Sequence, residues 1–291
     1  MSYPYFFVSP EYVKDNNILI TGDDAKHLIK VLRVKIKERI EVSDNQNFRY
    51  IAEAIEIRKN EVLLKIIQRK AISHYKGNFK IKVALFQCLL KKSAMEFVIQ
   101  KNTELGIDEI IPVRSKRVVV NEKVKSSKLC RWNKIAIEAS KQCKRDFMLQ
   151  VKDEILLEDI KPQNYDLFYI PYEVIKYEDL ISVLGVDNKD VNDINFLKFK
   201  KNNVFKDINF IFKEKKKLIN DKGKNKEEIN IGFIVGPEGG FEVEEVNLLS
   251  SLGAIPISLG ENILRADTAS IFLSSIIKYS IFLTSIRHVT N

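Results

Sequence analysis

The fold class predicted from the sequence is α/β in two parts, a small, mostly β module followed by a larger domain built on a mainly parallel sheet. Three observations carry this prediction. Apolar residues in the first seventy positions alternate with period two. After a polar link, Ser73 to Asn78, the rhythm changes to apolar strands alternating with longer helical patterns. A glycine-rich turn, Val235-Gly236-Pro237-Glu238-Gly239-Gly240-Phe241, then separates one such strand from a helix. The expected domains are residues 1–73 and 78–291.

In the first module the alternating sets are Ile40 and Val42, then Ile51, Ile55 and Ile57, then Val62, Leu64 and Ile66, with Asp44-Asn45-Gln46-Asn47 as a turn. One helix interrupts them. Asp23 or Asp24 can cap it, and Ala25, Leu28, Ile29 and Leu32 fall at i, i+3, i+4 and i+7. His27, Lys30 and Arg33 ride on that helix; His27 has no acid or cysteine placed for it and reads as a packing or surface residue.

The second domain opens with a strand at Ile81 to Cys88. A helix through Ala94, Phe97, Val98, Lys101 and Leu105 follows, closed by Gly106, and Ile110 to Val113 is the next strand. Trp132, Ile135, Ala136, Ala139 and Cys143 mark a second helix, and Tyr165 to Ile170 a strand ended by Pro171. Ile231 to Val235, a helix at Glu242 to Leu252 stopped by Gly253, and Ile255 to Leu259 come next. The last helix, Thr268 to about Ser285, is apolar almost all round, so it must be covered on every side, either within the core alone or by the sheet together with a second subunit. Its Ser274, Ser275 and Lys278 speak against a membrane span. Residues 186–229 form a Lys/Asn-rich insertion, expected as a surface excursion or as short strands at the sheet edge.

With 291 residues, 45% of them hydrophobic, the chain can bury a sizeable core. The start, Met1-Ser2-Tyr3-Pro4-Tyr5-Phe6-Phe7, lacks the pattern of a signal peptide, and a cytoplasmic protein without membrane association is expected. Cys88, Cys130 and Cys143 are odd in number and lack histidines at zinc-ligand spacing, so they read as reduced packing residues and no metal is expected. The net charge of +9 is weaker evidence than it looks, because residues 186–228 hold 12 lysines against 8 acids. All the arginines lie outside that stretch, and arginine is the side chain that forks onto phosphates. Arg33, Arg114, Arg117 and Arg265 are therefore the basic residues of interest.

The turn at Gly236 suits close approach of backbone to a small molecule. It is neither a phosphate loop, which would end in Lys-Ser/Thr, nor a dinucleotide loop, which would have three spaced glycines and no carboxylate among them. Glu238 would repel a phosphate, so the ligand there is expected to be neutral or cationic. A second segment, Leu259-Gly260-Glu261-Asn262-Ile263-Leu264-Arg265-Ala266-Asp267-Thr268-Ala269, runs from the last strand to the last helix. Asp267 or Thr268 is a plausible N-cap; Ile263 and Leu264 suit a flat apolar ligand; Arg265 pairs with a local acid or faces an anionic substrate.

These motifs, together with Lys101-Asn102-Thr103-Glu104-Leu105-Gly106 and Arg131-Trp132-x-x-Ile135-Ala136, resemble the ribosomal RNA small subunit methyltransferase E family of the SPOUT class. The N-terminal Ala25-Lys26-His27-Leu28-x-x-Val31-Leu32-Arg33 is similar to that family's PUA-like RNA-binding module. The resemblance implies an N-terminal PUA-like β-barrel and a C-terminal SPOUT domain with a trefoil knot, an exception to unknotted connections. It implies S-adenosylmethionine as cofactor, N3 of a uridine in 16S rRNA of the small ribosomal subunit as acceptor, and a homodimer. Two other readings are another SPOUT methyltransferase acting on a tRNA ribose 2′-oxygen and a non-enzymatic rRNA-binding assembly factor.

On this resemblance the cofactor residues are Val235, Gly236, Pro237, Glu238, Gly239 and Gly240 with Leu259, Gly260, Ile263, Leu264, Thr268 and Ala269. Arg265 is expected to stabilise negative charge on the uracil carbonyls, with Glu104 and Glu138 as proton acceptors. The RNA contacts are Lys30, Arg33, Lys91, Lys92, Arg114 and Arg117, joined by Gln142 and Arg145 from the family's Ala-x-x-Gln-x-x-Arg pattern. Departures are Ala266-Asp267 where the family has Thr-Glu, and Lys37 and Asn45 where it often has glycine.

Overall fold

The computed structural model describes residues 3–73, 75–76, 79–119, 123–172, 204–222 and 227–289. The chain divides into two compact units, one of residues 1–74 with 137–148 and one of residues 75–136 with 149–291.

The first unit is a six-stranded sheet of β1 (Tyr5–Phe7), β2 (Val13–Lys14), β3 (Asn17–Thr21), β4 (Arg39–Ser43), β5 (Phe48–Ile57) and β6 (Glu61–Ala71), in the order β1-β4-β5-β6-β3-β2. Only β1 and β4 are parallel. The ladders join in an open path: among the described residues none closes β1 onto β2. Alternation buries Ile40, Val42, Ala52, Ala54, Val62 and Leu64 on one face. The turn at Asp44 works as the sequence suggests, its Oδ1 accepting the amides of Gln46, Asn47 and Phe48. Lys37 and Asn45, which stand where glycine is common, both take positive φ, 72° and 58°.

The interrupting helix differs from expectation. It is α1 (Gly22–Lys26), continued by one π turn, His27–Val31, and Thr21 occupies the N-cap, so Asp23 and Asp24 lie inside the first turn. The wider π turn shifts the periodicity, and Arg33 ends it at φ 53°. Ala25 and Leu28 are buried as expected, but Leu32 is turned out to solvent.

Residues 137–148 belong to this unit through specific bonds. The Tyr5 hydroxyl donates to the Arg145 carbonyl (2.6 Å), the Ser43 hydroxyl to the Asp146 carbonyl (2.8 Å), and Lys141 to Asp24 (2.6 Å). Burial alone would lower the Lys141 pKa, but its bonds to Asp24 and Glu138 outweigh this and raise it.

The second unit is an eight-stranded sheet. Its main path is β10 (Gln150–Val151), β9 (Glu109–Arg114), β8 (Phe79–Cys88), β13 (Glu227–Val235), β12 (Leu167–Pro171) and β14 (Ile255–Ile257), all parallel. β11 (Ile155–Leu156) pairs parallel with β9, and β7 (Tyr75–Lys76) pairs antiparallel with β8, so the expected link contains a short strand. Helices α2 (Lys92–Glu104), α3 (Ser126–Gln142, whose residues from 137 on belong to the first unit), α4 (Val204–Lys222), α5 (Val243–Ser251) and α6 (Ala266–Val289) complete it.

Both sheet faces are covered, as a parallel sheet requires. Along β13, Ile229, Ile231, Phe233 and Val235 face a core shared with α2, α3, α4 and α6, whereas Ile234 faces a second core with Val246 and Leu249 of α5. Gly232 lies on the second face, against Phe168, Tyr165 and Phe86. A Cβ there would sit 2.5 Å from Phe168 Cδ2 and 3.0 Å from Tyr165 Cδ1, so Gly232→Ala is expected to cost about 2–3 kcal/mol in chemical denaturation. Loss of less than about 0.5 kcal/mol would mean the aromatic cluster repacks freely.

The insertion is corrected in part. Residues 204–222 are neither strands nor an excursion but α4, with Ile208 and Phe212 fully buried. Val204, Ile208, Ile211 and Phe212 fall at i, i+4, i+7 and i+8, a stripe hidden in the sequence by the surrounding lysines. The Tyr169 hydroxyl donates to Asp207 (3.3 Å), tying the helix to β12; residues 186–203 and 223–226 of the insertion lie outside the described residues.

The last helix begins earlier than expected. α6 starts at Ala266, so Asp267 and Thr268 are in its first turn rather than at the cap, and the Arg265 carbonyl accepts the Ala269 amide (2.8 Å). It is long and apolar enough to cross a membrane. Its buried side nevertheless carries Ser270, Ser274, Ser280 and Thr284, and Asn102 of α2 bonds to Ser270 and Ser274, which makes it a core helix. The opposite side exposes Phe272, Tyr279, Phe282 and Ile286. Of the cysteines, Cys88 is buried as expected, with its thiol pushed up to about 12 by burial, but Cys130 is exposed.

Candidate active site

Five parallel strands of the second unit end at one cavity of about 920 Å³. Leu90 and Lys91 follow β8, Arg117 follows β9, Tyr172 follows β12, residues 236–241 follow β13 and residues 258–265 follow β14. Ligands of open α/β sheets bind outside the carboxyl ends of the strands, and this volume lies within the range of small-molecule sites.

The Gly236 turn forms because β13 stops at Val235 and the amide of Gly240, at φ 69°, closes back onto the Pro237 carbonyl (3.0 Å). The next helix is anchored by a capping box: Glu242 caps α5, and Glu245 Oε2 accepts the Glu242 amide (2.9 Å). The other oxygen of the buried Glu245, Oε1, accepts the Lys116 amide (2.8 Å).

Eleven of the twelve expected cofactor residues line the cavity; Thr268 does not, because its place in the first turn of α6 points it to solvent. Glu238 is placed differently from the sequence expectation. Its Oε1 accepts the Lys91 amide (3.1 Å), so the carboxylate complements the N-terminus of α2 rather than that of the helix after its own loop. This occupies a position where a helix would otherwise attract an anion.

Arg265 lines the cavity, as does Asp267, whose Oδ1 accepts the Thr268 amide (2.8 Å). The two expected proton acceptors do not. Glu104 is paired with Lys101 (2.9 Å), about 10 Å along α2 from Phe97, the last residue of that helix to line the cavity, and Glu138 is paired with Lys141 (2.8 Å). Helical spacing alone could not tell the two ends of α2 apart with respect to the site.

The expected RNA residues fall into two sets. Lys30, Arg33, Gln142 and Arg145 belong to the first unit, where the first three are exposed and Arg145 donates to the Phe147 carbonyl (3.0 Å). Lys91, Lys92, Arg114 and Arg117 belong to the second. Lys91 is exposed at the cavity, while the Lys92 side chain lies outside the described residues. Arg114 is not presented for phosphate: it forms a largely buried ion pair with Glu154, which also accepts the Val124 amide (2.7 Å). Arg117 forks onto Glu242 with Nε at 2.7 Å and Nη2 at 2.9 Å, and Nη1 donates to the Gly239 carbonyl (3.2 Å). That bond holds the Glu242 carboxyl below the usual carboxylate range.

Leu90, Ser93, Ala94, Phe97, Pro171 and Tyr172 also form the cavity wall, though no sequence motif marks them as site residues. The signal was available for Pro171, since the residue closing a parallel strand at its carboxyl end faces the ligand side. The apolar wall of α2 had no such mark.

The comparisons agree with this architecture. A model described as "RNA methyltransferase domain" matches residues 77–180 and 188–278, and one described as "RNA methyltransferase PUA domain" matches residues 20–67. The chain is similar to the Ribosomal RNA small subunit methyltransferase E of Mesomycoplasma hyopneumoniae, 29% identical over 92% of this chain and 96% of the relative. It is similar also to that of Buchnera aphidicola, 28% identical over 89% and 88%. Among solved structures, a putative methyltransferase from Legionella pneumophila in complex with the cofactor SAM superposes with a TM-score of 0.70 at 22% identity, covering 96% of this chain and 98% of that one. The Neisseria gonorrhoeae Ribosomal RNA small subunit methyltransferase E bound to S-adenosyl methionine gives 0.67 at 21%, with the same coverage. With more than half of its length matched by the first of those domain models, and with full-length relatives that agree among themselves, the chain belongs to the ribosomal RNA small subunit methyltransferase E family of RNA methyltransferases.

Proposed function

We propose that this protein transfers the methyl group of S-adenosylmethionine to N3 of a uridine in 16S rRNA of the small ribosomal subunit, working in the cytoplasm as a homodimer with a trefoil-knotted second domain. The observation that carries the reading is the convergence of five strand-end loops on one cavity, in a chain of this family. The residues present fit the cofactor. A Cβ at Gly240 or Gly260 would meet no atom within 4 Å, so both glycines leave open space at the cavity, and Leu259, Leu264 and Phe97 supply an apolar wall. The loop carboxylate of Glu238 disfavours phosphate ligands and tolerates a cation.

When bound, S-adenosylmethionine supplies an activated methyl group on a cationic sulfur. The chain's own residues align and stabilise. Gly236 to Gly240 and Leu259 to Leu264 hold the cofactor in place for transfer. Arg265 sits at the start of α6, where a cation stabilises the negative charge that uracil acquires as N3 loses its proton. The first unit, of which residues 20–67 match the PUA model, supplies Lys30, Arg33, Gln142 and Arg145 for RNA, with Lys91 at the cavity. The apolar side of α6, with Phe272, Tyr279, Phe282 and Ile286 at helical spacing, fits a second copy of the chain.

Mass spectrometry of 16S rRNA nucleosides with and without the gene tests the reaction. Loss of 3-methyluridine on deletion is expected; an unchanged 16S profile with a lost tRNA ribose methylation would reassign the acceptor. Calorimetric titration with S-adenosylmethionine tests the enzyme itself, since absence of binding would leave a non-enzymatic rRNA-binding factor.

A further inference from the structure

The turn after β9, Ser115-Lys116-Arg117, is joined to the glycine loop in three ways. The Arg117 guanidinium takes both oxygens of Glu242. Its Nη1 donates to the carbonyl of Gly239 in the middle of the loop. From the other direction the buried Glu245, which completes the capping box of α5, accepts the amide of Lys116. The packing is equally close: a Cβ on Gly239 would lie 3.3 Å from Arg117 Cβ and 3.4 Å from its carbonyl oxygen. On the opposite flank the loop is tied once more, by Glu238 to the Lys91 amide.

The glycine loop has little to hold itself. Glycines lose more conformational freedom on ordering than any other residue, and the one bond within the turn is from Gly240 to Pro237. Beyond the buried Phe241 ring, which packs against Gly236, its shape depends on the external ties on its two flanks. Arg117 provides the larger of them, a bidentate charge-assisted pair plus a bond to a loop carbonyl, and it does so from the cavity wall. An arginine committed in this way is not presented as a fork to phosphate.

We propose that Arg117 is a positioning residue for the cofactor: through Glu242 and the Gly239 carbonyl it holds the glycine loop in its ligand-binding shape, and it is not a phosphate contact. The proposal rests on the reading that the cavity binds S-adenosylmethionine. Arg117 does not touch the acceptor base; its effect falls on cofactor affinity.

The test compares the full-length wild type with Arg117→Ala, Arg117→Lys and the charge swap Arg117→Glu with Glu242→Arg. Three quantities are measured: S-adenosylmethionine affinity by calorimetry, affinity for a 16S rRNA fragment across a salt series, and amide exchange of residues 236–245 without ligand. Arg117→Ala is expected to weaken cofactor binding about five- to tenfold, the scale of a well-aligned but partly solvated pair. It should also speed exchange in the loop and raise KM for the cofactor more than it lowers kcat, while the slope of RNA affinity against salt stays as in the wild type. Arg117→Lys keeps the charge without the fork and should recover part of the affinity; the swap should recover more than either single change. The opposite pattern overturns the proposal: unchanged cofactor affinity and loop exchange with weaker RNA binding and a salt slope reduced by about one. Should the wild type bind no S-adenosylmethionine, the cofactor reading fails by itself, and loop exchange in Arg117→Ala still decides whether Arg117 orders the loop.

Discussion

Arg265→Ala is expected to slow methylation of small-subunit rRNA about 10²- to 10³-fold at saturating cofactor, with S-adenosylmethionine affinity retained within a few fold. The magnitude is that of removing one preorganised stabiliser of developing charge. Its backbone carbonyl, which accepts the Ala269 amide and starts α6, is unaffected by the substitution, so the fold of the segment should persist. Arg265→Lys tests the chemistry further. A lysine keeps the charge but not the planar fork, and should restore a fraction of the rate. Single-turnover assays on assembled subunits provide the measurement; a wild-type rate in Arg265→Ala would remove the residue from the reaction.

Asn102→Ala is expected to destabilise the second unit by about 3 kcal/mol. The Asn102 amide donates to the Val98 carbonyl (2.9 Å) and to the Ser270 hydroxyl (3.0 Å), and its oxygen accepts the Ser274 hydroxyl. All three residues, Asn102, Ser270 and Ser274, are buried. Truncation leaves two serine hydroxyls without this partner in a core, at roughly 1–3 kcal/mol each, offset in part by relaxation. The bonds join α2 to the first turns of α6, directly beyond the loop of residues 258–265, so cofactor affinity should fall together with stability. Urea unfolding and calorimetry on the same variant measure both; a loss below about 1 kcal/mol would mean that the serines find other partners.

These two residues separate what was legible in the sequence from what was not. Arg265 could be singled out because an arginine beside two apolar residues in a loop after a parallel strand has few structural explanations. Asn102 was visible only as a letter in a motif; its work is across 168 positions, with Ser270. Glu104, two residues on, was weighed as a catalyst on its chemical type, yet it lies at the far end of α2 from the cavity and pairs with Lys101. Arg114 and Arg117 were both assigned to phosphate because arginine forks onto oxyanions, and both do fork or pair, but onto carboxylates of the chain itself. Composition sets what a side chain prefers to meet, and the fold chooses which oxyanion it meets.

The sequence by itself determined that a small β module precedes a mainly parallel α/β part, and it marked the two loops that contribute most of the cavity; it did not show that residues 137–148, expected in the second domain, belong to the first unit. Those features rest on local rules: alternation for strands, helical period for helices, and glycine where the chain turns sharply. Only the tertiary structure decided three further matters. α4 packs into the core although lysines mask its stripe. Glu238 complements the start of α2 instead of its own helix. The glycine loop is bonded by Arg117 from the turn after β9, which lies two strands away in the sheet with β8 between. The first depends on a sheet face that only the folded core presents; the other two depend on groups distant in sequence that meet because parallel strands deliver their ends to one edge, a property of sheet order that period and propensity do not encode.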